Sequence, residues 1–278
     1  MLKSPMNYIG NKYRLLPQML EIFPAHINSF LDLFCGGLDV SVNVSADKKY
    51  ANDINHYLIA IYEVFQNIDY DTAMTYLLGK IQEYGLSKVN KEAYLAFRNY
   101  YNKCDIKNPL DLYLLMNYSF NYQIRFNSEH EFNNPFGKDR SSFNTSLQAR
   151  LQLFMREIED ITFSSMDFRN VDCSNVTFIY ADPAYTLSIG SYNDGKRGFS
   201  GWKLQDDLDL MAFLDDADRK GIQFALSDVL AHKGQFHKEM IEWSKKYHVH
   251  DMVCTYDNCN YQTKNREHKT REVLITNF

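Results

Sequence analysis

Apolar positions along this chain change their period twice, and the changes divide it. Residues 13–23 repeat with a helical period. Asn28-Ser29-Phe30-Leu31-Asp32-Leu33-Phe34 reads as a strand running into a glycine turn, Cys35-Gly36-Gly37. The small and β-branched residues after the turn predict a helix, and Lys49–Asn52 a second strand ending at Asp53. From about residue 61 the period becomes 3.6. Residues 55–66, 71–84, 91–102 and 109–120 carry apolar side chains at i, i+3 and i+4, which predicts four helices. Asn121 to Phe143 is irregular, rich in Asn, Phe, Arg and Ser, with Pro135 and Gly137. So long a stretch without an element is usually functional or disordered, and the aromatics argue against simple disorder. α/β patterning then returns. Leu147–Ile158 predicts a helix, 161–163 a short strand ahead of Met166-Asp167-Phe168, and Val176–Ala181 a buried strand. Ser188 to Gly201 is polar and contains glycine, and is expected to be a mobile lid. Asp206–Gly221 predicts a helix, Gln223–Ser227 a strand and Lys238–Tyr247 a helix. Val249–Thr255 and Glu272–Thr276 predict strands that would pair as a hairpin. Strands alternating with helices make this an α/β chain.

Composition narrows the class. With 278 residues, 45% of them hydrophobic, the chain can bury a sizeable core in one large domain or two modest ones. Aromatics reach 15%, which fits an aromatic core and also stacking surfaces for bases. The net charge of -5 argues mildly against nucleic acid, because phosphate contacts need Lys and Arg. Local distribution weakens the objection. Lys3, Lys12 and Arg14 precede any acid, and Lys264, Arg266, Lys269 and Arg271 make the tail basic. A basic cleft on an acidic body is expected. Five scattered cysteines fit a reducing compartment, and Cys254 and Cys259 lack the partner pair of a zinc site, so no metal is expected. No secretory signal and no apolar run of membrane length is present, which places the chain in the cytoplasm.

Two constellations carry chemistry. Alone, the turn Asp32-Leu33-Phe34-Cys35-Gly36-Gly37 reads as a plain tight turn, since its spacing is not that of the dinucleotide fingerprint. Asp53 changes this reading: it ends the next strand roughly 20 residues on, where an acid grips ribose hydroxyls. A nucleoside-containing cofactor follows. The second constellation is Asp182-Pro183-Ala184-Tyr185, which closes the Val176–Ala181 strand. A carboxylate, a fixed carbonyl and a flat ring suit an exocyclic amino group and its base. Hydrogen bonds from the amine to Asp182 and to the Pro183 carbonyl would draw its nitrogen toward a tetrahedral form. Stacking on Tyr185 would add about 1–3 kcal/mol. Other features read as structural. His232, His237, His248 and His250 form no ligand pattern, and Trp202 and Trp243 read as packing residues. Asp206-Asp207 and Asp215-Asp216 read as helix-start or solvated acids.

In order along the chain, Asn7-Tyr8-Ile9-Gly10-Asn11-Lys12, Phe34-Cys35-Gly36-Gly37, Asn52-Asp53-Ile54-Asn55, Arg125-Phe126-Asn127, Glu131-Phe132-Asn133-Asn134-Pro135-Phe136-Gly137, Asp182-Pro183-Ala184-Tyr185 and Lys269-Thr270-Arg271-Glu272-Val273-Leu274 resemble the D12-class, Dam-like DNA N6-adenine methyltransferases. The resemblance covers nearly the whole chain. It implies a Rossmann-like methyltransferase sheet with an inserted helical recognition domain: residues 1–60 and 147–278 catalytic, 61–146 reading DNA. It implies S-adenosylmethionine as cofactor, held by Tyr8, Lys12, Phe34, Gly36, Gly37, Asp53, Asp167, Phe168 and Asp182. Asp182, Pro183 and Tyr185 would hold a flipped adenine. Double-stranded DNA would be the partner of a monomer, with a GATC-like site. In the middle segment Arg125 would meet a guanine edge, and Asn121, Tyr122 and Phe126 would wedge into the stack. Asn127 lies in the same segment, and Lys138 and Arg140 would hold phosphates.

Two departures stand out. The usual tetrapeptide has a second proline where this chain has Ala184, which loosens the loop. Asp39 adds a negative charge to the glycine turn, for which the pattern offers no role. Amino groups of cytosine, RNA or protein remain alternative acceptors, and a catalytically weak DNA-recognition protein remains an alternative class.

Overall fold

The structure, a computed structural model, describes residues 1–8, 10–187, 193–194, 202–253 and 270–278. Ile9, Cys254, Cys259, Lys264, Arg266, Lys269 and most of the expected lid, Ser188–Gly201, lie outside the described residues.

The chain begins with helix α1 (Leu16–Ile22), then strands β1 (Ser29–Asp32) and β2 (Lys48–Asn52). The helix expected between them does not form. Residues 39–43 make successive turns joined by isolated bonds such as Val42 N–H to Leu38 O (3.1 Å) and Val44 N–H to Val40 O (3.0 Å). Val40, Val42 and Val44 are poor helix formers. Their side chains are buried on opposite sides, Val40 and Val44 against α1 and Val42 toward the helical region.

Four helices follow: α2 (His56–Asn67), α3 (Tyr70–Tyr84), α4 (Lys91–Lys103) and α5 (Pro109–Tyr118). Each begins where the sequence supplies a cap. Asn55, Asp69, Asn90 and Asn108 accept the N–H groups of Leu58, Thr72, Ala93 and Leu110. A two-residue strand β3 (Arg125–Phe126) interrupts the irregular segment before α6 (Thr145–Glu157) and β4 (Ile161–Ser164). Next come β5 (Phe178–Ala181), the short β6 (Asn193–Asp194), α7 (Leu204–Arg219), β7 (Gln223–His232), the short β8 (Gln235–Phe236), α8 (Lys238–Ser244), β9 (His248–Asp251) and β10 (Arg271–Thr276). β7 outruns its expected end at Ser227 because β10 pairs along it antiparallel, out to Ala231.

The sheet runs β4-β2-β1-β5-β7-β10-β9, with β8 paired to β7. β4, β2, β1, β5 and β7 are parallel; β10 opposes both β7 and β9. Both faces are covered, so the strands alternate between two cores instead of between core and water. Phe30, Phe178 and Tyr180 point toward α1, whereas Leu31, Ile179 and Ala181 point toward α7 and α8. A third core joins the sheet edge to the helices: Ala51 and Ile161 continue through Tyr62, Phe65, Leu151 and Phe154 to Phe97 and Leu115. Strand order reverses between β1 and β5. The crevice beyond their carboxyl ends is where open α/β sheets bind ligands.

Candidate active site

The ends of β1 and β5 are paired, Asp32 opposite Tyr180, and Leu33 N–H extends the pairing to Tyr180 O (2.9 Å). The glycine turn and the Asp-Pro-Ala-Tyr segment therefore leave neighbouring strands side by side. The turn is held by backbone, by one acid and by a tyrosine. Cys35 N–H donates to Asn52 O (2.8 Å), Gly36 N–H donates to Asp53 Oδ2 (3.1 Å), and the Tyr62 hydroxyl donates to Gly36 O. Gly36 has φ +44, and a Cβ on Gly37 would stand 2.8 Å from Cβ of Tyr8. Both glycines are thus demanded, one by its dihedral and one by the packing of Tyr8. Asp53 also accepts Asn55 N–H at 2.8 Å. Asn52, fully buried, bonds Leu33 O, Met166 O, Met166 N–H and the Ser164 hydroxyl, and so ties together the loops after β1, β2 and β4. Its place in the Asn-Asp motif marked it, but no role for it was legible.

Beyond β5, Lys12 is buried at 5% exposure and reaches Asp182 Oδ1 at 2.8 Å. Its ammonium also stands 3.7 Å from Glu272 Oε1, 5.0 Å from the centre of the Tyr185 ring, and donates to Gly10 O at 3.2 Å. The Tyr185 hydroxyl donates to Asp182 Oδ1 at 2.7 Å. Pro183 is buried and Ala184 half-buried. Among the described residues of the expected basic cleft, Lys12 meets the carboxylates of Asp182 and Glu272 here, while Lys264, Arg266 and Lys269 lie outside the described residues. Burial holds the Asp32 carboxyl up at about 7, with Ser41 donating to its Oδ2 at 2.6 Å, and the charges of Asp182 and Asp53 push it the same way. Burial raises Asp53 to about 6 against its two N–H donors, and raises Glu272 against the pull of Lys12.

On the β1 side, Phe34, Phe168 and Trp202 pack on one another at ring separations of 5.4, 5.5 and 5.8 Å. Trp202 is thus more than a packing residue, since its Nε1–H also donates to Asp207 at 2.6 Å. Asp207, read as a helix-start acid, is buried at 1% exposure. His237 pairs with it at 2.9 Å and caps α8. Contact order in space, not spacing in sequence, assembles that group. Asp167 spends its carboxylate on Arg169, whose guanidinium also reaches Asp206 and Asp209 on α7.

In the middle segment, Arg125, Asn121, Lys138 and Arg140 are exposed. Phe126 is not a wedge: it is 0% exposed, stacked on Tyr57 at 4.3 Å. Phe120, in the preceding 120–122 turn, is 45% exposed. Tyr122 is half-buried, its hydroxyl on Arg140 O. Asn121 and Tyr122 both have positive φ, 54 and 56. Buried Asn134 holds this turn, donating from Nδ2 to the Ser119 hydroxyl, Phe120 O and Gln123 O. Asn127 turns inward on its own loop, accepting the N–H groups of Glu129 and Glu131.

Residues 8–258 match the family described as D12 class N6 adenine-specific DNA methyltransferase. The chain is 44% identical over 282 residues to the type II methyltransferase M.FokI of Planomicrobium okeanokoites, covering 100% of this chain and 43% of the relative. It is 44% identical over 284 residues to the modification methylase StsI of Streptococcus sanguinis, with the same coverage of 100% and 43%. The modification methylase LlaI of Lactococcus lactis subsp. lactis is 30% identical over 282 residues, covering 99% of this chain and 43% of the relative. The chain thus spans less than half the length of these relatives. Its sheet, its glycine turn and its Asp-Pro-Ala-Tyr segment agree with the match, and the chain belongs to the D12 class of N6 adenine-specific DNA methyltransferases.

Proposed function

We propose that this chain transfers the methyl group of S-adenosylmethionine to N6 of an adenine extruded from duplex DNA at a specific site. The observation that carries this reading is the adjacency of Asp182 and Tyr185 to the glycine turn across the β1–β5 boundary. The donor set fits the cofactor. Among the described residues, Asp32, Asp53, Asp182 and Glu272 outnumber Lys12, which favours a ligand that carries positive charge. Asp53 would grip ribose hydroxyls, and half-buried Phe34, backed by Phe168, would meet its base, with Tyr8 and Lys12 on the other side. Bound there, the cofactor supplies an electrophilic methyl carbon on a sulfonium.

The chain's own groups do the rest. Asp182 and the Pro183 carbonyl accept the two amino hydrogens of adenine, which concentrates the nitrogen lone pair and aims it at the methyl carbon. The amino group so held would take the methyl group, and Asp182 would pass the proton it gives up to water. Tyr185 supports the purine face and orients Asp182. Alignment of the two reactants supplies much of the acceleration. Ala184 leaves Pro183 and its carbonyl in place, so the group that matters is retained. Residues 61–146 would read the DNA: Arg125 at a base edge, Lys138 and Arg140 at phosphates, and the 120–122 turn, with Phe120 in place of buried Phe126, at the gap left by the extruded base. The relatives named modification methylases suggest a role protecting host DNA beside a restriction enzyme.

The test is a methyl-transfer assay from labelled cofactor onto DNA, RNA and protein pools, followed by mapping of the modified base. Asp182→Ala is expected to lose at least about 10³-fold in kcat, since alignment and polarisation of the amine are lost together, while calorimetry shows cofactor affinity falling far less than kcat. Label on cytosine, RNA or protein instead of adenine, or an active Asp182→Ala chain, refutes the reading.

A further inference from the structure

Asp207 lies in the first turn of α7, is almost wholly buried, and receives three donors from three separate segments. The Trp202 indole N–H reaches Oδ1 at 2.6 Å, His237 Nε2 reaches Oδ2 at 2.9 Å, and the Thr186 hydroxyl donates to Oδ2. His237 Nδ1 accepts Met240 N–H at 3.3 Å, which turns Nε2 as the donor toward Asp207. Asp228 stands close enough for the three residues to share an ion. Both oxygens of Asp207 are already committed to hydrogen-bond donors, however, so the cluster reads as a hydrogen-bonded joint.

What the joint connects gives it meaning. Trp202 packs edge-on against Phe34 and tilted against Phe168, on the proposed cofactor side. Thr186 follows Tyr185, whose hydroxyl holds Asp182, on the proposed adenine side. His237 anchors the joint to the start of α8. A buried carboxylate with charge-assisted bonds to each is a stiff link, because releasing any donor leaves charge uncompensated in a dry place.

We infer that Asp207 is a positioning residue that couples the cofactor side of the site to the loop carrying the adenine-holding residues. This inference rests on the proposed methyltransferase function. Seating a ligand against Trp202 fixes the Asp207 carboxylate, which fixes Thr186 and hence the loop that must meet the extruded base. Cofactor and DNA should therefore tighten each other's binding, and by linkage equally.

The test uses the full chain with S-adenosylhomocysteine as a non-reactive probe and a duplex carrying the site found by methylation mapping. The affinity of each is measured with and without the other. Trp243→Phe leaves Trp202 as the single indole reporter, so the probe's binding can be followed by fluorescence as well as calorimetry. The original chain should show at least about fivefold mutual tightening, the lower end of typical coupling. Thr186→Val, which removes only the loop's link, should abolish the tightening and raise KM for DNA while leaving affinity for the probe alone unchanged. Asp207→Asn should abolish the tightening and shift the Trp202 emission, and Asp207→Glu should not restore it, because its longer side chain moves the joint. Independent binding of the two ligands in the original chain, or undiminished tightening in Thr186→Val, overturns the coupling while leaving the methyltransferase reading intact. Failure of the original chain to bind the probe or to methylate DNA overturns both.

Discussion

Gly37 and Asp39 show how much a single position can carry. A Cβ on Gly37 would lie 2.8 Å from Cβ of Tyr8, closer than any relaxed contact, and neither atom sits at the end of a flexible chain. Gly37→Ala should push Tyr8 and its segment off the turn, at a cost of about 1–3 kcal/mol of overpacking. The expected outcome is cofactor affinity weakened by about tenfold or more, for which 1.4 kcal/mol suffices, with DNA binding in the absence of cofactor unchanged; calorimetry checks both. Asp39, which had no role in the pattern, faces the same segment. Its Oδ1 accepts Ser4 N–H at 3.0 Å, and its carbonyl accepts Asn43 Nδ2, which also bonds Leu2 O. The charge that looked misplaced beside a cofactor is a staple for residues 2–4.

At the scale of elements, the 118–140 segment holds its shape without a helix or a long strand. Gly137 N–H donates to Tyr118 O at 2.9 Å, and Gly137 O accepts the N–H groups of Arg140 and Ser141. A Cβ on Gly137 would stand 2.5 Å from the Ser119 carbonyl oxygen and 2.5 Å from the Ser141 hydroxyl. Gly137→Ala should therefore force apart the two limbs of the segment. DNA affinity is expected to fall, while cofactor affinity, which depends on the sheet, stays within about twofold, as for a distant independent site. Filter binding of duplex DNA alongside cofactor calorimetry reads the contrast, and a parallel loss of both would show that the segment is not a separable support. The motif residues Asn134 and Gly137 were legible as a motif, but their work is internal: they shape the turn that presents Phe120, Asn121 and Arg125.

For the molecule as a whole, the acids beneath the crevice set a dependence on pH. Burial lifts Asp32 to about 7, Asp39 to about 6, Asp53 to about 6 and Asp228 to about 7. The unfolded chain titrates these carboxyls near 3.9. Between about pH 4 and 7 the folded state therefore binds more protons than the unfolded one, and stability falls as pH rises through that window. Without cofactor, Tm is expected to drop between about pH 4 and 7, and Asp32→Asn to flatten the drop, since an amide has no charge to bury. Added S-adenosylmethionine should raise Tm more at the upper end, where the acids beside it are ionised. Thermal melts across the range check this, and a Tm that climbs with pH would contradict it. Among the described residues no helix is long and apolar enough to cross a membrane.

Local chemistry settled a large part of this protein in advance. Apolar periodicity located α2 to α6 to within about two residues, and the structure shows an Asn or Asp cap at each start. The ordered motifs marked Gly36, Asp53 and Asp182, since Asp53 and Asp182 directly follow strands and Gly36 lies in the turn after one. Tertiary structure decided what depends on distant partners. It withheld the helix after the glycine turn, buried Phe126 and exposed Phe120, spent Lys12 on Asp182 and Glu272, and gathered Thr186, Trp202 and His237 around Asp207. Period and capping are properties of residues a few positions apart. The protonation of Asp32 or the value of Asp207 depends on burial and on groups brought from across the chain, and these exist only once the sheet has closed over them.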